Sequence, residues 1–249
     1  MNAPSSVLEV RDLRKTFGAV EALSGADLVC PAGEVTALVG DNGAGKSTLI
    51  RCITGVHAAT SGSITFKGEP VAFNSPTQAR KLGIETVYQD LALIEDLSVW
   101  QNMYLNREIT RGVGPLRWLD RRAMITATEK KLGHLLVNMP PVRAKVRRLS
   151  GGQRQSISIG RAASWGSALV IMDEPTAALG LRERAAVETV IGNLRGEGIA
   201  QLVISHDLEQ VMRISDSIWV MRGGRTIAHW RTKDIDRKQI VAAIAGAGP

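Results

Sequence analysis

A short apolar run that opens straight into a glycine-rich loop is the strongest constraint on this chain. Val35-Thr36-Ala37-Leu38-Val39 leads without a break into Gly40-Asp41-Asn42-Gly43-Ala44-Gly45-Lys46-Ser47-Thr48. Lys46 to Thr54 then has helical character. An apolar run with no polar alternation reads as a strand covered on both faces, and such strands belong to parallel sheets flanked by helices. The loop fits Gly-x-x-x-x-Gly-Lys-Ser between that strand and that helix, the context a phosphate-cradling loop requires. Its glycines let backbone N–H groups wrap an anion. Lys46 supplies positive charge at the outer phosphates, and Ser47 offers a hydroxyl to magnesium.

A second anion-binding start lies downstream. In Leu149-Ser150-Gly151-Gly152-Gln153-Arg154-Gln155, Ser150 is a good helix N-cap and the two glycines leave N–H groups uncovered. Unpaired amides and the helix dipole together attract negative charge. One chain thus carries two phosphate-binding helix starts.

Other polar residues sit where strands end. Val170-Ile171-Met172 runs into Asp173 and Glu174. Asp173 is suited to hold magnesium, directly or through water, and Glu174 to accept a proton from water. Paired acids after a strand are also common as solvated turns. His206 follows Leu202-Val203-Ile204, and a histidine there is more often structural than catalytic. Gln89 ends another strand and could orient water or touch a metal; surface glutamine is its bland reading. Phe17, before Gly18, is a candidate to stack on a base or to fill the core.

Strand–helix alternation organises the rest. Val7–Leu13, Ala22–Val29, Ser63–Lys67 and Ile84–Tyr88 read as strands. Leu97–Leu105 and Arg121–Val137 have helical spacing, the second stopped at Met139-Pro140-Pro141. Strand, helix, strand, helix follow at Leu169–Met172, Leu181–Arg195, Gln201–Ile204 and Leu208–Ile214. Ser217–Met221 and Arg225–His229 form a hairpin around Gly223-Gly224, and Ile235–Ala245 a last helix. The pattern is an α/β sheet with a mainly helical insertion. The 249 residues hold no apolar run long enough for a bilayer, and Met1 to Glu9 lack the charge and apolar core of a secretory signal. Cys30 and Cys52 are too few for a metal site and read as buried thiols in a reducing compartment. The net charge of +7 is scattered, densest at Arg143–Arg148 and without interleaved aromatics, so it does not indicate a nucleic-acid platform.

Taken together, these residues resemble the ATP-binding cassette family of transport ATPases, from about Val7 to Ile227. Gly40 to Thr48 matches its Walker A loop. Gln89 in Val87-Tyr88-Gln89-Asp90 matches the Q-loop, and Leu149 to Gln155 the family signature. Asp173 and Glu174 match the Walker B aspartate and catalytic glutamate, His206 the switch histidine, and Phe17 the adenine-stacking aromatic. The resemblance implies a P-loop NTPase core with an N-terminal antiparallel β subdomain and a helical subdomain inserted at about 90–165, all one domain over 1–249. It implies ATP and Mg2+ as ligands. Glu174, His206, Gln89 and Lys46 would be catalytic. Phe17, the residues of 40–48, and Ser150, Gly151, Gly152 and Gln153 would hold nucleotide. Ser47, Gln89 and Asp173 would hold the metal. It also implies a head-to-tail pair of subunits, with ATP between one phosphate loop and the other signature helix.

The stretches Tyr88 to Ile94, Leu97 to Val99 and Ala178-Leu179-Gly180 are similar to the monosaccharide-import branch. That branch implies membrane permease subunits, a sugar-binding protein acting indirectly, and a place on the cytoplasmic face of the cell membrane. Importers of other substrates, exporters, and soluble non-transport cassettes share the same core motifs. One position departs: Gly180 stands where the family usually has an aspartate that communicates between the two nucleotide sites.

Overall fold

The computed structural model describes residues 6–112, 116–136 and 138–246. Its first part is an antiparallel sheet. Strand β1 (Ser6–Phe17) pairs with β2 (Val20–Pro31) and on its other side with β4 (Ser61–Phe66), while β5 (Glu69–Val71) closes the edge. Along β1, Leu8, Val10 and Leu13 are buried while Glu9 is half-buried and Arg11 exposed. A register shift between Val10 and Leu13, at Asp12 with φ 42°, keeps Leu13 on the inner face despite the odd spacing. Both strands extend beyond the expected Val7–Leu13 and Ala22–Val29, because pairing continues through the exposed hairpin end.

The central strand β3 (Val35–Val39) is buried at every residue and leads to helix α1 (Lys46–Ile53). Two elements follow. Helix α2 (Pro76–Leu82) has proline in its first turn and ends at Gly83, and β6 (Ile84–Val87) enters the main sheet. Between β6 and β9 lie α3 (Val99–Tyr104), the two-residue pair β7 (Thr110–Arg111) and β8 (Trp118–Leu119), α4 (Arg121–Gly133) and α5 (Gly151–Ala163). Ser98 and Gln101 form a capping box that starts α3 two residues later than expected. Helix α4 also differs from the expected 121–137. It stops at Gly133, a poor helix former, and Leu135 and Leu136 turn back to donate to the Leu132 carbonyl. Val137 lies outside the described residues.

The alternation then runs β9 (Leu169–Asp173), α6 (Leu181–Gly196), β10 (Ala200–Ile204), α7 (Leu208–Ile214), β11 (Ser217–Arg222), β12 (Arg225–Arg231) and α8 (Arg237–Ala245). The second sheet has the order β12-β11-β3-β10-β9-β6, parallel except for β12. Side chains of its inner strands alternate between two cores. Leu169, Ile171, Leu202 and Ile204 pack with β1, β2 and α1, whereas Val170, Met172 and Val203 pack with α3, α4, α5 and α6. This two-sided burial is what the unbroken apolar runs encode. Cys30 and Cys52 are free and buried, and burial pushes the Cys30 thiol up to about 12. No helix among the described residues is long and apolar enough to cross a membrane.

Candidate functional site

Four parallel strands end at one edge of the main sheet, and each delivers a polar element there. Strand β3 delivers the glycine loop, β9 Asp173 and Glu174, β10 His206, and β6 Gln89. Their register places Leu38 beside Ile204, Ile204 beside Asp173, and Met172 beside Val87. Ligands of open α/β sheets lie along such carboxyl-end edges.

The loop is held in shape by its own backbone. Gly40 has φ 151°, and a Cβ there would collide with the Met221 carbonyl of β11. Only glycine satisfies both conditions. The Ala44 amide donates to the Asp41 carbonyl at 3.1 Å, and the Gly224 amide to the Ala44 carbonyl at 3.0 Å, anchoring the loop to the β11–β12 hairpin. Lys46 Nζ donates to the carbonyls of Gly40 at 2.6 Å and Asp41 at 2.9 Å, so the ammonium spans the mouth of the loop. Partial burial lowers its pKa, against the pull of Glu174, Asp41 and Asp173. Gly45 caps α1 with no side-chain hydrogen bond, leaving the amides of the first turn without a side-chain acceptor. Asn42, Gly43 and Ser47 are exposed, and Thr48 is half-buried. These features fit a polyphosphate: backbone amides, an ammonium and an exposed hydroxyl in one loop.

Asp173 is half-buried, and burial followed by repulsion from Glu174 raises its pKa, partly offset by Lys46 and Arg51. Two crowded carboxyls beside a phosphate loop favour a cation. No cluster of three or more His, Cys, Asp or Glu exists among the described residues. That donor set fits magnesium, which takes one or two carboxylates and fills its remaining positions with water and phosphate.

Glu174 has a left-handed backbone, φ 51°, and its amide donates to the Ile204 carbonyl at 2.9 Å. Such a conformation costs on the order of 1–3 kcal/mol and is held by its surroundings. Here the next residues are fixed by Thr176, whose hydroxyl donates to Gln210 Oε1 at 2.8 Å, and by Arg184, which reaches the Leu179 carbonyl and Asp207. The twist turns the Glu174 carboxylate to His206, with Oε1 2.7 Å from Nδ1. His206 is otherwise exposed. Its imidazole is therefore paired, and the carboxylate can accept only if Nδ1 carries the proton.

Gln89 is exposed beyond the end of β6, and no hydrogen bond joins it to Lys46, Ser47 or Asp173 among the described residues. Phe17 ends β1 and is 44% exposed, its ring edge-on to His57 at 5.1 Å and under Lys15 at 4.9 Å. The paired strand β2 brings Ala22 and Leu23 against Gly45, so the open aromatic ring belongs to the same side of the molecule as the loop.

The second helix start is also formed. Ser150 Oγ accepts from the Gln153 amide, and Gln153 Oε1 from the Ser150 amide, a reciprocal cap on α5. No hydrogen bond joins Ser150, Gly151, Gly152 or Gln153 to residues 40–48 among the described residues; the glycines lie against Leu179 and, on α6, Glu183. Gly152 packs on Glu183, leaving no space for a Cβ. A residue that sequence reasoning missed stands here. Glu183 Oε1 accepts from the Gly152 amide and Oε2 from the Gly180 amide, each at 3.3 Å. Those two bonds and the Ser150 hydroxyl hold its carboxyl below the usual range. The only sequence signal was its place three residues after the helix N-cap, which marks a capping residue and not a contact with α5.

Farther along α5, Arg161 donates to the carbonyls of Leu91 and Ala92 at 3.0 and 2.9 Å, and Ser158 to Leu91 at 3.2 Å. Arg154 pairs with Glu95 at 2.8 Å. The segment after Gln89 is thereby tied to the same helix that begins at Ser150.

The profile of the ABC transporter family matches residues 23–177. The chain is 43% identical over 236 residues to a xylose/arabinose import ATP-binding protein of Sulfolobus acidocaldarius, covering 95% of this chain and 92% of that one. It is 43% identical over 249 residues to a fructose import ATP-binding protein of Rhizobium meliloti, covering 98% and 96%. A galactose/methyl galactoside import ATP-binding protein of Clostridium perfringens is 36% identical, and there the chain covers 47% of its length. Among solved structures, the ADP conformation of MJ1267, an ATP-binding cassette of an ABC transporter, superimposes with a TM-score of 0.80 at 28% identity over 96% and 95% of the two chains. With the strand-edge site, the two helix starts and this likeness over nearly its whole length, the chain belongs to the ABC transporter family, as one of its ATP-hydrolysing cassettes.

Proposed function

We propose that this chain is the ATPase subunit of an importer for a monosaccharide, acting as a pair at the cytoplasmic face of the membrane. In this reading residues 1–249 form one ATP-binding domain with a helical part at about 90–165. The relatives that match over nearly their full length support the substrate class.

The Glu174–His206 contact beside the phosphate loop supports the chemistry most directly. Amides of 40–48 and the Lys46 ammonium bind and neutralise the triphosphate, and Phe17 stacks on the base. Glu174 takes the proton of the attacking water, and His206 holds that carboxylate in place until it does. Ser47 and Asp173, joined by Gln89 when the segment after β6 moves inward, would hold Mg2+, which supplies charge stabilisation at the phosphates. Among the described residues no hydrogen bond joins Ser150, Gly151, Gly152 or Gln153 to residues 40–48 of their own chain, which supports their serving a partner subunit's nucleotide. Exposed Tyr88 and Ile94, on the segment tied to α5, suit contact with a permease subunit. A sugar-binding protein would act on the complex indirectly. Nucleic acid has no place in this reading.

The test is hydrolysis by Glu174→Gln. Loss of a general base lowers turnover by about 10²–10⁴-fold, while ATP still binds. Normal turnover in that variant would refute the assignment. For the substrate class, the purified membrane complex should raise its ATPase rate with a monosaccharide and its binding protein; stimulation by a lipid or drug alone would point to export.

A further inference from the structure

We propose that Glu183 is a built-in anionic occupant of the α5 start, a carboxylate that the terminal phosphate of a partner-bound ATP must displace before two subunits close. The inference rests on the two-subunit reading above. An N-terminal amide of a helix beginning Ser150-Gly151-Gly152 would be expected to face solvent, free for a ligand. In this chain the Gly152 amide is already engaged by Glu183 Oε1 at 3.3 Å. The arrangement is specific. Gly152 has no side chain, and the Cβ, Cα and Cγ of Glu183 fill the space where one would be, so α6 approaches closely enough for its third residue to reach α5.

The other carboxylate oxygen holds the Gly180 amide at 3.3 Å. This is the position where sequence reading found a carboxylate missing. The anion is present, three residues later, and it joins the loop after Glu174 to the signature helix within one chain. A phosphate arriving at Gly152 would meet a like charge and compete for the same donor, and both costs fall when the carboxylate leaves. Its departure would also free Gly180. Occupancy of one nucleotide site would thus change the loop that continues from Glu174, the base of the other. Both bonds are long for charge-assisted ones, in keeping with a contact made to be exchanged.

The experiment measures ATP-driven dimerisation of the full chain by light scattering, in a Glu174→Gln background that does not turn over. Adding Glu183→Gln keeps the shape and removes the charge. The ATP concentration for half-maximal dimer should fall by about fivefold, with nucleotide binding to the monomer unchanged. A residue that only braced the helix would shift the requirement upward or leave it alone, and either result overturns the proposal. Glu183→Asp keeps the charge and should retain most of the parental ATP requirement; a fall as large as that in Glu183→Gln would overturn it as well. If the parent itself forms no ATP-dependent dimer, the two-subunit reading fails and takes this inference with it. A normal parental dimer with an unmoved Glu183→Gln refutes the inference alone.

Discussion

Asp173 should weaken the nucleotide-free protein and strengthen the loaded one, and Asp173→Asn separates the two effects. The carboxyl is half-buried at the end of β9 with Glu174 next to it, and its pKa is raised from 3.8 by burial first and by Glu174 second. Asparagine has nearly the same shape and no charge. Relieving such a site is worth about 1 kcal/mol, which in a domain of this size raises Tm by about 2–4 °C. The sign has a pH signature. A group whose pKa is raised by folding stabilises fully below its unfolded value and loses that contribution as pH rises through the folded one. Wild type and variant should therefore melt together below about pH 4 and separate as pH rises toward neutrality, with the variant higher. Magnesium and a non-hydrolysable ATP analogue at 100 times Kd would stabilise the wild type by about 2.7 kcal/mol, or about 5–11 °C. The variant, lacking the carboxylate, should gain much less, so that the order of melting reverses. Calorimetry with and without ligand reads both. A variant that melts below wild type without ligand refutes the electrostatic reasoning; one that gains as much as wild type with ligand refutes the metal role.

Two further outcomes bear on the site's frame. Gly40→Ala forces an alanine to φ 151° and its methyl into the Met221 carbonyl; the combined cost is about 2–5 kcal/mol, and a melting curve within 2 °C of wild type (about 1 kcal/mol) would contradict it. Ser150→Arg removes the cap of α5, costing about 1 kcal/mol, and should leave ATP binding to the monomer intact while abolishing the ATP-dependent dimer; an unaltered dimer on size exclusion would contradict the role given to this helix start.

Much of this architecture is legible in the sequence because burial leaves an unambiguous trace. Strands β3, β9 and β10 are covered on both faces and mostly apolar, broken only by the buried Thr36 and Gln201, and polar residues follow them at once. The strand–loop–helix at 35–53 and the capped start at Ser150 are local, so neighbouring residues alone encode them. What was missed has weak local signal. Helix α2 buries only Ala79 and has no periodicity, although Ser75-Pro76 and Gly83 mark its ends. The β7–β8 pair is two residues long, and Gly133 cut α4 shorter than its apolar spacing suggested. The Gly152–Glu183 bond joins residues 31 apart on different helices. No pattern in either helix announces it, because it depends on how closely α5 and α6 pack.

The tether between α5 and the segment after Gln89 has an evolutionary consequence. Arg161 and Ser158 hold Leu91 and Ala92 by their carbonyl oxygens, which every amino acid possesses. Leu91 and Leu93 must stay apolar to pack inward, but Ala92 and Ile94 point out. Ala92, at φ 48°, asks only for a residue that tolerates a left-handed turn. The outward side chains can therefore be exchanged while the mechanical link to the signature helix is preserved. If this segment meets the permease as proposed above, a lineage could refit the subunit to a different one by resurfacing a few positions, with the engine behind them unaltered.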